Sequence, residues 1–435
     1  MKMKKNKIRV ISAVVSAIML ASSASVFAKF DAYNDPDGFT LGHYEVEVNQ
    51  EQRSETEKLY EQRPKNERQF ENLSRGLVAV PGENGTLVSW RFLGTDSNSL
   101  TYNLYCSGEK LNDKPITTTN FFHTGASTNA EYTLKEVENG EETGVEYTTT
   151  AWDKNYIGFK VTEREGYNID DGAVADLDGD GEYEILLRRV PSMDVNTRTS
   201  YPVIEAYKTD GTHMWTIDIG PNEINEVDIN FLAYDMDGDG KAEVIMRSFE
   251  GTTDGNGNTT GDTNGDGITD YSKSESNLAI FKDRQYIVST PEFLSIYDGE
   301  TGEETDRTDL KPSKEPLSDW SYRYSDTGRL TKRASHYLFG LAYLDGVTPS
   351  VVMVRGAWDN VRAAAWHIED GKFKEDWVHN TENKDDVNSI WGACNHNLVT
   401  VDVDFDGKDE ILSGPMAIDH DGSEMYAVKV YDNDG

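Results

Sequence analysis

Cysteine is nearly absent from this chain: Cys106 and Cys394 are the two in 435 residues. So few leave no disulfide framework; the pair could join in an oxidising compartment, the alternative being two separate buried thiols. Histidine is sparse, with 8 residues, and basic residues are outnumbered, 42 Lys and Arg against 78 Asp and Glu, for a formal charge of -36. A surface so negative is not drawn to polyanions, which sets nucleic acid aside as a partner. Long apolar runs are also lacking. The stretch from Val10 to Leu20 is shorter than the roughly 20 residues that a bilayer span needs, and no later segment qualifies.

What is present begins with a Lys-rich start, that short apolar run, and Ser-Ala-Ser-Val-Phe-Ala at 23–28. This predicts a secretory signal peptide over 1–28, and hence an extracellular protein. Residues 29–66 read as a weakly ordered polar leader, rich in Glu, Gln and Arg. Over 67–160, short alternating runs such as Thr86-Leu-Val-Ser-Trp and Thr101-Tyr-Asn-Leu-Tyr, broken by Gly, Asn and Asp turns, predict a β-sandwich of the fibronectin-like kind. Past 161 an acidic, Gly-rich loop repeatedly feeds a hydrophobic strand. The copies begin at Asp176, Asp235 and Asp402, the second interval being close to three times the first, so a period of about 55 to 60 residues and a β-propeller over 161–435 are expected.

Each copy spells D-x-D-x-D-G-x-x-E. Carboxylates at positions 1, 3 and 5 converge because the Gly at position 6 lets the chain turn, and the acid at position 9 completes an oxygen shell. Oxygen donors without His or Cys favour Ca2+ over zinc or copper. The expected ligand sets are Asp176, Asp178, Asp180 and Glu184; Asp235, Asp237, Asp239 and Glu243; and Asp402, Asp404, Asp406 and Glu410. A fourth set, Asp262, Asn264, Asp266 and Asp270, fits the spacing within a low-complexity stretch. The competing reading of any one loop is an Asp-rich turn whose side chains cap backbone amides.

More specific segments occur in order: Arg68-Gln-Phe-Glu-Asn-Leu-Ser-Arg-Gly-Leu-Val-Ala-Val, Val88-Ser-Trp-Arg-Phe-Leu-Gly-Thr, Ser318-Asp-Trp, Leu341-Ala-Tyr-Leu-Asp-Gly, Val354-Arg-Gly, Asn395-His-Asn-Leu and Met416-Ala-Ile-Asp-His-Asp-Gly. Together they resemble the bacterial rhamnogalacturonan lyases, from about Arg68 to Tyr426. The resemblance implies an all-β chain, an amino-terminal β-domain ahead of an eight-bladed calcium propeller. It also implies calcium-assisted β-elimination of the rhamnose–galacturonate backbone of the plant cell-wall polysaccharide rhamnogalacturonan I. Asp170 and Asp171 stand where the family has Asn-Asp, and His396 stands in its Asn-His-Asn, so all three are implied cleft contacts. Arg333 and Arg355 are candidate partners for a substrate carboxylate, since Arg pairs bidentately with one; the alternatives are strand-edge charges and a core histidine. No residue is singled out as the catalytic base.

Departures from the family pattern include Arg189-Val-Pro-Ser in place of Lys-Trp-Asp-Pro-Ser, which puts Val190 where the family has an acid, and Lys332-Arg-Ala-Ser-His-Tyr in place of Asn-Arg-Val-Asp-Arg-Phe. The family continues past this point with a Gly-His-Gly-Asp motif and further blades, so a propeller of about five blades lacking its C-terminal part is expected. Two rivals stand beside the lyase: a non-catalytic, calcium-dependent pectin- or glycan-binding fragment, and an adhesion propeller, which would not carry the Arg-Gly-Leu-Val-Ala-Val domain.

Overall fold

Alternating apolar residues make strands here. In Glu131–Glu138 the buried positions are Tyr132, Leu134 and Val137, while Glu131 and Glu138 face out. The computed structural model describes residues 50–427 except 126–128, 192–199, 224–229, 283, 321–324, 357–359, 382–389 and 395. The signal-peptide reading for 1–28 lies outside the described residues. The chain is all-β, and none of its described helices is long and apolar enough to cross a membrane.

The second half of the polar leader carries an α-helix, Gln50–Gln62. Glu and Gln dominate it, and both are good helix formers, so a segment poor in apolar periodicity still has local helical preference. Two antiparallel sheets come next. One pairs Val78–Gly82, Gly85–Ser89 and Asn120–Thr124; the other pairs Glu109–Lys110, Thr101–Cys106, Glu131–Glu138 and Glu141–Thr150. Ala79, Val88, Trp90, Leu104, Tyr132 and Leu134 form the core of this region, and the Trp90 and Tyr102 rings meet edge to face at 5.2 Å.

Beyond residue 161 the described residues build four four-stranded antiparallel sheets, each a meander in chain order. Their strands are Tyr167–Ala175, Glu184–Pro191, Val203–Tyr207 and His213–Asp218; Phe231–Tyr234, Glu243–Phe249, Glu292–Tyr297 and Glu304–Asp309; Tyr337–Ala342, Ser350–Arg355, Arg362–Glu369 and Lys372–Asn380; and Val399–Val401, Glu410–Ser413, Met416–Ile418 and Glu424–Ala427. Inner strands bury residues on both faces because each sheet packs against the next. Ile204 and Ile217 of the first sheet meet Val244 and Met246 of the second, and Val352 and Val354 of the third meet Ile411 and Ile418 of the fourth.

The interval from Asp235 to Asp402 therefore spans two sheets, not three. The second sheet carries an insertion, residues 250–291, between its second and third strands. This insertion holds the Asp262 loop, short 3-10 turns and a two-stranded ribbon of Leu278–Phe281 and Arg284–Ile287. The third sheet has only a shortened loop around Asp345, whose carboxylate accepts from the amides of Val347 and Thr348, both at 2.7 Å. Cys106 and Cys394 are not joined in a disulfide, and Cys394 is buried 3.6 Å from Ser413 Oγ.

Candidate functional site

Three acidic loops sit at the same place in their sheets, between the first strand and the second. In the first, both oxygens of Asp176 accept backbone amides, from Gly179 and Gly181, each at 2.8 Å. Asp235 does the same for Gly238 at 2.7 Å and Gly240 at 3.0 Å, and Asp402 accepts from Gly407 at 3.1 Å. The first acid thus caps the turn, as the competing reading holds, but the rest of the loop is left over from that task. Position 4 needs a positive φ, supplied by Gly179 and Gly238 in the first two loops. In the third it is Phe405, at φ 65°, whose ring packs edge to face on Tyr60 at 5.9 Å.

The ninth-position acids, Glu184, Glu243 and Glu410, each open the second strand, and each turns one oxygen back to the amide at position 2. These contacts are Leu177 at 2.8 Å, Met236 at 2.9 Å and Val403 at 2.7 Å. Ligand oxygens of Asp176, Asp178 and Asp180 lie within 4.8 Å of one another, as do those of Asp235, Asp237 and Asp239, and those of Asp402, Asp404 and Glu410. Asp178 Oδ1, Asp402 Oδ1 and Glu410 Oε1 are buried and have no hydrogen-bond partner. Burial, with neighbouring carboxylates adding to it, pushes Glu243 up to about 8 and Glu410 up to about 9. Converging, desolvated oxygens without donors fit a divalent cation that prefers oxygen ligands.

The fourth loop makes the same turn, with Gly265 and Gly267 donating to Asp262 at 2.7 and 2.8 Å. Its ninth residue goes elsewhere. Asp270 caps the 3-10 turn Tyr271–Lys273, accepting from the Ser272 amide at 3.1 Å, and pairs with Lys273 at 3.0 Å.

Sequence reasoning missed a strap, residues 63–76, that crosses the three paired loops in turn. Asn66 Nδ2 donates to Gly407 O at 2.9 Å, Arg68 pairs with Asp409 at 2.8 Å, Gln69 Nε2 donates to Asp235 O at 3.2 Å, and the Ser74 amide donates to Gly181 O at 2.8 Å. Glu71 lies between, its carboxyl pushed up to about 7 by burial and then by Asp235 and Asp176. The polar composition of this segment was the available signal.

The implied cleft residues lie away from the loops, toward the other ends of the strands. Asp170 and Asp171 sit at a bulge in the first sheet; Arg188 Nε donates to Asp170 at 3.0 Å, and Asp171 is exposed. Arg333 is half-buried in the helix Thr327–Ser335, which ends at His336, and the His336 and His396 rings lie 5.0 Å apart. Arg355 is fully buried: it donates to Pro312 O at 2.8 Å and to Glu292 at 2.9 Å. Glu292 also meets Arg247 at 3.2 Å and Lys314 at 3.6 Å, while Arg247 pairs with Glu223. Burial alone would raise Glu292, but Arg355, Lys314 and Arg247 outweigh it and hold the carboxyl at about 2. This charged cluster was likewise not foreseen, because its members come from separate sheets and connections.

Residues 68–152 match the β-sheet domain of rhamnogalacturonan I lyases, and residues 158–435 match the C-terminal domain of rhamnogalacturonan lyase family 11. The chain is 38% identical over 375 residues to the rhamnogalacturonan endolyase YesW of Bacillus subtilis, covering 83% of this chain and 57% of that protein. To the exolyase YesX of the same organism it is 37% identical over 377 residues, covering 83% and 58%. The crystal structure of YesW superimposes with a TM-score of 0.71 at 37% identity, covering 83% of this chain and 61% of that one. For a Bacillus licheniformis rhamnogalacturonan lyase, PL11, the values are 0.70, 36%, 83% and 61%. The chain thus spans about three-fifths of the length of the relatives it matches. It belongs to rhamnogalacturonan lyase family 11.

Proposed function

We propose that this chain acts as a secreted polysaccharide lyase on rhamnogalacturonan I, cleaving the bond to galacturonate by β-elimination. In this reading the four meanders are blades of a β-propeller, the two amino-terminal sheets form a β-sandwich, and the three paired loops hold Ca2+. The observation that carries the reading is the pair of consecutive family matches over 68–152 and 158–435. The chemistry suits a chain of this charge. The proton at C5 of galacturonate becomes removable once the adjacent carboxylate is neutralised, and an acidic protein approaching an acidic polymer does so through cations that it holds. Calcium in the paired loops, at the other end of the strands from Asp170, Asp171 and His396, would brace the sheets, and the cation that neutralises the substrate carboxylate would be held at those cleft contacts. Asp170 and Asp171 are then cleft contacts held by Arg188, and exposed His396, near His336, is a second contact.

The test is to mix purified chain with rhamnogalacturonan I and follow the ultraviolet absorbance of the unsaturated uronate. The expected result is a rise that a chelator abolishes and calcium restores. A second reading, calcium-dependent pectin binding without catalysis, is favoured by one observation: Arg355, a candidate partner for the substrate carboxylate, is fully buried and donates to Glu292 instead. Retention of folded protein on immobilised pectin with no absorbance change would replace the first reading by the second.

A further inference from the structure

The four sheets allow an internal comparison. In the first, second and fourth, the third strand ends at a bulge, at Ala206/Tyr207, Ile296/Tyr297 and Ala417/Ile418, and the turn after it lies on the same side as the acidic loop. What that turn offers the loop differs. In the first sheet it is Lys208, whose ammonium pairs with Asp178. In the second it is Asp298-Gly299, and a side chain at Gly299 would fall 2.0 Å from Ala242 O. In the fourth it is Asp419-His420.

His420 Nδ1 is 3.6 Å from Asp406 Oδ2 and 2.7 Å from Asp419 Oδ1. Although close to both, this nitrogen is buried and has no hydrogen-bond partner. It joins Asp406 and Glu410 in a group whose ligand atoms all lie within 4.8 Å of one another, and Glu410, fully buried, brings Oε1 with no partner of its own. The imidazole is positioned from behind. Trp377 Nε1 donates to His420 O at 2.9 Å, and the same indole packs against Gly422.

We propose that Asp406, Glu410 and His420 form a divalent-cation site with one nitrogen ligand, taking a first-row transition ion such as Mn2+ or Co2+ more readily than the all-oxygen loops do. It rests on the calcium reading above only in sharing Asp406 and Glu410 with it. The physical reason is donor type: carboxylate oxygens alone suit calcium, whereas an imidazole nitrogen adds affinity for transition ions and little for calcium. Lys408 Nζ, 3.0 Å from His420 Nε2, has only protons to donate. A coordinated imidazole bound through Nδ1 carries its own proton on Nε2, so Lys408 must release the ring when the ion enters. The ammonium therefore competes with the metal.

Pulsed EPR of Mn2+ bound to the full, chelator-stripped chain tests this directly, with calcium titrated in competition. The expected result is nitrogen modulation from one bound Mn2+ that resists calcium. His420→Gln should lose that modulation and weaken this Mn2+ by about tenfold or more, the scale of losses around metal ligands. Lys408→Met should keep the modulation and tighten binding. Bound Mn2+ without nitrogen modulation, or modulation unchanged in His420→Gln of wild-type thermal stability, overturns the site. Failure of calcium to bind at any loop would overturn the calcium reading and leave the Mn2+ result to stand or fall on the modulation.

Discussion

The two ends of the sheets gather buried charge in opposite ways. At one end, Glu243 and Glu410 sit among other carboxylates and are pushed up to about 8 and about 9. At the other, Glu292 is buried too yet is held at about 2, because Arg355, Lys314 and Arg247 surround it. Burial acts in the same direction on all three. The difference lies in where the compensating charge comes from: the Glu292 cluster carries its own cations, and the acidic loops leave oxygens that a cation from solution would satisfy.

Removing that cation is expected to have the largest effect. Stripping calcium with a chelator should lower the calorimetric unfolding temperature, by about 2.7 kcal/mol of stability for each loop that was held at a hundredfold excess over its dissociation constant. An unchanged unfolding temperature would return the loops to the capped-turn reading. Glu292→Gln should cost roughly 3–5 kcal/mol whether or not calcium is present, since it leaves Arg355, Arg247 and Lys314 buried without their counter-charge. Denaturant melts in chelator and in calcium would separate the two regions.

The sign of the pH dependence separates them too. A carboxyl held below its ordinary value of 4.5 contributes stability that is fully present above 4.5 and is lost as the pH falls through about 2. Acid titration of the chelated protein should therefore show a loss in that window, absent from Glu292→Gln. The smallest effect is expected at the fourth loop. Asp270→Asn retains the cap on Ser272 and should change stability by no more than about 0.5 kcal/mol, leaving calcium stoichiometry by calorimetry unaltered. A lost calcium equivalent would show that this loop closes on Asp270 after all.

The contrast between the fourth loop and the others shows how far spacing carries. All four share the D-x-[DN]-x-D-G pattern and all four make the same turn, because the first Asp and the glycines set it locally. Whether the ninth acid closes the loop depends on the element that this acid opens. Glu184, Glu243 and Glu410 begin strands that are paired on both sides, which fixes their carboxylates over the loop, whereas Asp270 begins a short helical turn and caps it instead. The alternation of Val, Ile and Leu after each loop was likewise enough to place the strands. The insertion at 250–291 was not legible as such, since its turns and ribbon carry the same residue types as the sheets, and it stretched the repeat until two sheets read as three.

By itself, then, the sequence determined the strands, the acidic turns and the family, because each rests on local patterning or on motifs read in order. Tertiary structure alone decided which charges are compensated. It buried Arg355 against Glu292, drew the strap of Asn66, Arg68, Gln69 and Ser74 across three loops, and set His420 beside Asp406 and Glu410. These contacts join residues far apart in the chain, and a side chain's electrostatic role depends on neighbours that only the packing of sheets brings within reach.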